Sequence, residues 1–295
     1  MTKLKILVTG GGKFAFNWML LTNSKFDNIF MSRSNKGLFG DNKFITLNLT
    51  EHNNLSLLIR EIKPHLIINT AAITNVDYCE THPSQCREVN TDVAVTLSQI
   101  ACEQKVKFIQ LSTDHFESNI SDPRNEIVYP IPVNEYGSAK IKADIILQSQ
   151  ETNIVVRTNF FGFSPVGVSN SFRGLLNALA DDKIYLGYKD ISYTPISTPV
   201  LVESISHLIS IDFNGLINVV GNTNLSKFDF AKKVAQELGK GDQKIQEFAY
   251  DSTQKSLKRP KNMGLINTKL LEVFPNFSGD LGENIKRALE SFDGR

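Results

Sequence analysis

Six short apolar runs, most of them followed by a helical pattern, constrain this chain more than anything else in it. They are Lys5-Ile6-Leu7-Val8-Thr9, Asn28-Ile29-Phe30-Met31, Phe44-Ile45-Thr46-Leu47, His65-Leu66-Ile67-Ile68-Asn69, Val106 to Leu111 and Ile154-Val155-Val156-Arg157. A strand that is apolar on both faces suits a parallel sheet buried on both faces. Phe14 to Leu21, Leu55 to Ile62, Ser84 to Glu103 and the stretch from Tyr136 onward carry helical spacing. In the longest of these, Val89, Val93, Leu97 and Ile100 form one stripe. Strands alternating with helices predict an α/β fold built on a doubly wound parallel sheet, and right-handed crossovers place helices on both faces.

After about residue 160 the strict alternation stops. Ser171 to Ala180, Val200 to Ile211, the stretch from Ser226, Thr268 to Val273 and Leu281 to Leu289 read as helices, and Leu216 to Val220 as a strand. Ser192 to Pro199 is extended and punctuated by prolines. The expected domains are therefore residues 1–160, a Rossmann-type nucleotide-binding domain, and 161–295. The second is expected to be a smaller, mainly substrate-binding lobe that returns some elements to the sheet.

The Rossmann expectation comes from Gly10-Gly11-Gly12-Lys13-Phe14-Ala15, which sits between the first strand and the first helix. Gly10, Gly12 and Ala15 satisfy the dinucleotide fingerprint in its glycine/alanine form. Such glycines permit a tight turn and close approach to a pyrophosphate at a helix N-terminus. An ordinary glycine turn has the same composition, but the strand before and the alternation after favour a cofactor. Lys13 and Phe14 lie within the same loop. The acid expected after the second strand, to hold a ribose hydroxyl, is replaced by Ser32-Arg33-Ser34-Asn35-Lys36. Arg33 can take a 2′-phosphate, which favours NADPH and leaves NADH as the alternative.

Tyr136 and Lys140 then stand four residues apart at the start of a helical pattern, on one helix face. A Lys cation beside a phenol lowers its pKa from about 10, so that it can exchange a proton near neutrality. Tyr185 and Lys189 have the same spacing, but Gly187 lies between them without helical pattern, and that pair is read as chance. Parallel sheets bind ligands beyond the carboxyl ends of their strands. Two such ends here are Asn69-Thr70-Ala71-Ala72 and Ser112-Thr113-Asp114, with Thr74 just past the first and Asn90 in the helix between. A Thr113 hydroxyl can donate to the oxygen that Tyr136 protonates, two donors on one developing charge. A local turn or cap is the plainer reading of Ser112 and Thr113. The joint presence of glycine loop, strand-end hydroxyls and Tyr-Lys helix outweighs it.

These residues resemble the extended short-chain dehydrogenase/reductases, and within them the dTDP-4-dehydrorhamnose reductase group, over almost the full length. The most specific pieces are Asn69-Thr70-Ala71-Ala72, Asn90, Leu111-Ser112-Thr113-Asp114, Tyr136-Gly137-Ser138-Ala139-Lys140, Val156-Arg157-Thr158, and Arg259-Pro260 followed by Leu265. The resemblance implies Thr113, Tyr136 and Lys140 as the catalytic group. It implies a cofactor held by Gly10, Gly12, Lys13, Phe14, Ala15, Arg33, Asn69, Ala71, Ala72, Asn90, Tyr136 and Lys140. Thr74, Ser112, Thr113, Asp114, His115 and Arg259 would face a nucleotide-diphosphate sugar. The implied reaction is hydride transfer from a nicotinamide to the C4 ketone of a nucleotide-linked 6-deoxy sugar, in deoxysugar and polysaccharide biosynthesis. Four departures stand out: Lys13 and Phe16 where the family's second and third glycines align without a gap, His115 where the reductase group has Tyr, and Asn48 where it has Asp. An epimerase or dehydratase on the same scaffold, and a regulatory subunit that keeps the pocket without turnover, remain the alternative readings.

Composition excludes other classes. A formal net charge of +1 among 295 residues argues for neither a nucleic-acid nor a membrane surface. No apolar run has the length of a membrane span, and Gly10 to Gly12 interrupt the first strand too early for a signal-peptide core. Cys79, Cys86 and Cys102 give an odd count without a CxxC pair, which fits a reducing cytoplasm. Cys79, His82 and Cys86 lack a fourth ligand for zinc, so no metal site is expected. His115 could relay protons, although such a histidine more often only bonds its surroundings. Lys258-Arg259 could clamp a diphosphate or be a solvated pair. Trp18 is expected to pack the first helix against the sheet. A homodimer is one open outcome.

Overall fold

Each apolar run becomes a strand, and the first ends in a turn that only glycine fits. A computed structural model describes residues 3–34, 42–118, 123–164, 170–250 and 258–293. Its elements in order are β1 (Lys5–Thr9), α1 (Lys13–Thr22), β2 (Asp27–Ser32), β3 (Lys43–Thr46), α2 (His52–Ile62), β4 (Leu66–Asn69), α3 (Val76–Thr81) and α4 (Pro83–Arg87). A π-turn (Glu88–Asp92) leads into α5 (Val93–Glu103), followed by β5 (Lys107–Leu111), α6 (Glu135–Leu147) and β6 (Asn153–Arg157). Then come β7 (Phe160–Phe161), α7 (Ser171–Ala180), β8 (Tyr185–Tyr188), β9 (Ser192–Tyr193), β10 (Ile196–Ser197), α8 (Thr198–Ser210) and β11 (Gly215–Asn218). The chain closes with β12 (Leu225–Ser226), α9 (Lys227–Glu237), β13 (Ile245–Phe248), β14 (Asn262–Met263), α10 (Thr268–Val273) and α11 (Leu281–Asp293).

The chain divides into two compact units. The first holds Met1–Ser112, Asn134–Val156 and Asp212–Leu216. The seven-stranded sheet runs β11-β6-β5-β4-β1-β2-β3, and β1 through β6 pair in parallel. The order reverses between β1 and β4, which is the switch point where doubly wound sheets take ligands. Ile6, Leu7 and Val8 are fully buried, as a strand covered on both faces requires. On one side, strand residues Leu7, Met31, Ile67, Phe108 and Val155 pack with Leu55 and Ile59 of α2, Val93 and Leu97 of α5, and Ala143 and Leu147 of α6. Burying each such aliphatic side chain is worth about 1.5–3 kcal/mol. Trp18 of α1 is also fully buried. Its indole stacks on Phe26 and donates to Asn28 Oδ1 at 2.9 Å, so its polar edge is satisfied.

Sequence periodicity predicts one helix over Ser84 to Glu103, and the structure is helical throughout that stretch but widens to a π-turn at Glu88–Asp92. The cause is long-range. Asn90 accepts from Ile73 N–H at 2.7 Å and donates to Ile73 O at 3.0 Å, while Thr91 Oγ1 donates to Ala139 O at 2.8 Å. A π-turn adds a residue to the turn, and such bulges often mark functional sites. Tyr185 lies in strand β8 and Lys189 follows it, so that pair shares no helix.

The second unit holds Thr113–Val133, Arg157–Ile211 and Ile217–Arg295. Its core is an aromatic cluster of Phe161, Phe163, Phe172 and Phe230, joined by Leu175, Tyr193, Val234 and Ile285. The Phe161 and Phe230 rings meet edge-on with centroids 4.9 Å apart, a preferred aromatic geometry. Arg124 is 1% exposed. Its guanidinium donates to Phe116 O at 2.7 Å, Asn262 O at 2.6 Å and Gly264 O at 3.2 Å, and lies over the Phe116 ring. Arg157 lies against the same ring. Backbone bonds from Arg124 N to Gly264 O and from Ile266 N to Arg124 O complete the stitch.

Arg124→Met keeps the length of the side chain and removes every donor. Gly264 O keeps the Arg124 backbone N–H, so the loss of the side-chain donors to Phe116 O and Asn262 O is expected to lower the unfolding free energy by about 2 kcal/mol, read as a lower urea midpoint. An unchanged midpoint would show that Arg124 is not what ties residues 123–126 to 262–266.

Candidate active site

In the first unit, the carboxyl ends of β1, β4 and β5 are joined by one hydrogen-bonded thread. Thr9 Oγ1 donates to Asn69 Oδ1 at 2.7 Å, Asn69 Nδ2 to Gln110 Oε1 at 2.7 Å, and Gln110 Nε2 to Leu111 O at 2.7 Å. Both amide orientations are fixed by chemistry. Ala71 N–H, which can only donate, also reaches Asn69 Oδ1, at 3.1 Å. Oδ1 must then be the acceptor, Nδ2 must point to Gln110 Oε1, and Nε2 is left to face Leu111 O. The thread ends on Lys140, whose Nζ donates to the same Leu111 carbonyl at 2.7 Å.

Helix α6 presents that lysine. Asn134 caps it, its side chain accepting from Gly137 N–H at 2.9 Å. Glu135 in the first turn suits the positive end of the helix dipole. Tyr136, Lys140 and Asp144 recur every four residues and are 9%, 2% and 1% exposed, so they occupy the buried face. Burial pushes the Lys140 pKa down to about 8, against the opposing charge of Asp144 and a smaller effect from Cys86. The ammonium is therefore still charged at neutral pH, the state that favours a tyrosinate nearby. The Cys79 and Cys86 thiols are pushed up by burial. Asn90 is engaged with Ile73, and it also donates to Cys86 Sγ at 3.3 Å.

The glycine loop closes the other side of the switch point. Gly10 has φ of +96°, and a Cβ there would lie 2.7 Å from Ala71 N, so the position requires glycine. Gly12 caps α1, and a Cβ there would meet nothing within 4 Å. No acidic residue stands in the first turn of α1. Lys13 begins the helix, and burial pushes its pKa down to about 8. Phe14 and Ala15 are buried beneath the loop. Arg33 is exposed just past β2, whereas Asn35 and Lys36 lie outside the described residues. Ala71 and Ala72 are half-buried beyond β4, Thr74 is exposed, and Ser112 is buried with its N–H on Val156 O at 2.7 Å.

The second unit begins at Thr113, whose hydroxyl accepts from His115 N–H at 3.1 Å in a local turn. Asp114 is 3% exposed and accepts from Asn159 Nδ2 at 2.8 Å. Burial pushes its carboxyl up to about 7, against that bond and the charges of Lys227 and Arg124. His115 is pushed down to about 4 by burial and by Arg259 and Lys227, and is neutral at pH 7. Burial lowers the pKa of Lys227, and Asp114 opposes the shift. Arg259 is half-buried and Lys258 exposed. Of the stretch from Ser164 to Ser171 that leads into α7, residues 165–169 lie outside the described residues.

Sequence reading passed over Gln110, Asp144, Asn159 and Lys227. Gln110 had a signal, a polar residue inside an apolar strand, and so did Asp144, a carboxylate one turn past Lys140. Among the described residues, no group of three or more His, Cys, Asp or Glu could hold a metal ion, and no helix is long and apolar enough to cross a membrane.

Comparison with known proteins adds a family. A family model described as the RmlD substrate binding domain matches residues 4–293. The dTDP-4-dehydrorhamnose reductase of Escherichia coli is 25% identical over 244 residues, 78% of this chain and 81% of that protein. Methionine adenosyltransferase 2 subunit beta of Bos taurus is 22% identical over 247 residues, 77% of this chain and 70% of that one. Among solved structures, the Bacillus anthracis dTDP-4-dehydrorhamnose reductase in complex with NADP superposes with a TM-score of 0.83 at 21% identity, covering 99% of this chain and 100% of that one. That likeness shows the same Rossmann-type fold.

Asp114 gives a pH prediction. Its folded pKa is raised, so the stability it contributes is full below about pH 4 and is lost as pH rises through about 7. Asp114→Asn cannot titrate. The melting temperature of the variant minus that of the parent is expected to rise between pH 5 and pH 8. A flat or falling difference would refute the raised pKa.

Proposed function

The chain belongs to the RmlD substrate-binding-domain family, and from that membership we propose that it is an NADPH-dependent reductase of the C4 ketone of a nucleotide-linked 4-dehydro-6-deoxy sugar. The observation that carries the reading is Lys140, a buried cation on the same helix face as Tyr136, held on Leu111 O at the carboxyl end of β5. The glycine loop fits a dinucleotide. Gly10 lets the loop pack against Thr70 and Ala71, Gly12 leaves the helix N-terminus open, and no first-turn acid repels a phosphate.

In this reading the cofactor residues, Tyr136 and Lys140 belong to the first unit, and Thr113, Asp114, His115 and Arg259 belong to the second. Bound NADPH would deliver a hydride to the ketone carbon. Tyr136 gives its phenolic proton to the carbonyl oxygen, which becomes the alcohol, and solvent restores the proton. Lys140 keeps the phenol acidic and holds the nicotinamide ribose. Thr113 donates to the same oxygen, and neutral His115 adds a donor without adding charge. Arg259 takes the diphosphate, and Arg33 the 2′-phosphate. The free cysteines, two of them buried, suit a reducing cytoplasm. A homodimer is consistent with this assignment.

A regulatory subunit is the second reading, favoured by the similarity to methionine adenosyltransferase 2 subunit beta. The two separate on turnover of nucleotide-linked 4-keto sugars with NADPH. Tyr136→Phe is expected to cut the rate by about 10²–10⁴-fold while NADPH binding, followed by its fluorescence, persists. Near-full activity in the variant would remove Tyr136 as proton donor. Arg33→Ala is expected to weaken NADPH binding about ten-fold and leave NADH binding unchanged. Equal loss for both cofactors would overturn the role of Arg33.

A further inference from the structure

We propose that Asp144 is a positioning residue for Lys140: its carboxylate, one turn further along the buried face of α6, is the counter-charge that keeps the Lys140 ammonium protonated and in place. The argument starts from burial. Lys140 is 2% exposed and Asp144 1%, and an isolated ammonium does not stay charged out of water. An ammonium has three donors, and the bond to Leu111 O at 2.7 Å uses one of them. A carbonyl fixes a direction but carries no net charge.

Residues at i and i+4 have Cβ atoms about 5–6 Å apart, and Asp144 opposes the lowering of the Lys140 pKa that burial produces. The other titratable group acting on Lys140 is Cys86 of α4. Its own thiol is raised by burial, with weaker effects from Cys79, Asn90, Glu135 and Arg87, and it is neutral near pH 7. On the elements packed around α6, Asp77, Glu80, Arg87, Glu88, Asp92 and Glu103 are exposed to solvent. Asp144 is thus the carboxyl group that shares the buried face of α6 with the lysine.

The inference deepens the reductase reading and rests on it for its catalytic meaning. The test separates the two. In full-length protein with isotope-labelled lysine side chains, the Lys140 resonance is assigned by its loss in Lys140→Met and titrated by NMR. In the parent it is expected to titrate at about pH 8. Asp144→Asn is expected to lower that value by about one unit or more, and Asp144→Glu to restore most of it. If a sugar substrate turns over, the alkaline fall in kcat should move down with it, with kcat at pH 6.5 changed no more than about three-fold. A purely structural role would lower stability without moving either titration. Should Asp144→Asn not fold alone, Lys140→Met with Asp144→Asn is expected to fold, because it leaves no uncompensated buried charge. An unshifted Lys140 titration, or failure of the double variant to fold, overturns the proposal. Absence of turnover with a shifted titration overturns only the reductase reading.

Discussion

The structure of the first unit depends on one buried cation. Taking an ammonium out of water costs several kcal/mol unless charge and hydrogen bonds replace the solvent. Lys140 meets that demand with the Leu111 carbonyl on one side and Asp144 on its own helix. Both are backbone-registered. Leu111 ends a strand in the middle of the sheet, and Asp144 follows one turn along α6. Lys140 therefore has little freedom to move without exposing an uncompensated charge. Tyr136 stands one turn earlier on the same buried face.

The amide thread extends the same constraint to the glycine loop. Because Ala71 N–H can only donate, it orients Asn69, Asn69 orients Gln110, and Gln110 faces the carbonyl that holds Lys140. Thr9, immediately before Gly10, is bonded at the far end. Nothing in the chain of donors can flip alone without pairing two donors or two acceptors. A fully satisfied buried polar network specifies one arrangement, while a half-satisfied one would be costly. The loop expected to meet a pyrophosphate and the lysine expected to meet the ribose are thus set by one network. In the second unit the electrostatics are looser. Asp114, His115 and Lys227 are each perturbed by burial first; Asp114 and Lys227 then act on one another, and Lys227 and Arg259 act on His115.

Much of this is legible in the sequence. The parallel sheet follows from runs such as Ile6-Leu7-Val8 that have no polar face, and the loop from glycines at a strand end. Tyr136 and Lys140 were visible because a four-residue spacing survives in any helix. What escaped depends on partners far along the chain. The π-turn keeps the apolar stripe of a helix, and it is Ile73 and Ala139 that explain its widening. Asp144 carried a local signal, a carboxylate on an otherwise buried face, but burial itself is not a local property. Arg124 has no pattern around it at all. Its carbonyl acceptors Asn262 and Gly264 lie 138 and 140 residues away.

That separation bears on how the protein is made. Residues 123–126 leave the ribosome long before 262–266 exist, and at about 5–20 residues per second the wait is on the order of ten seconds. During it, Arg124 and Phe116 have no finished socket. The strand Gly215–Asn218, at the edge of the sheet beside β6, also emerges late. Neither unit can therefore be completed from the nascent N-terminal half alone. The early segments must wait for these partners until the last third of the chain has been translated.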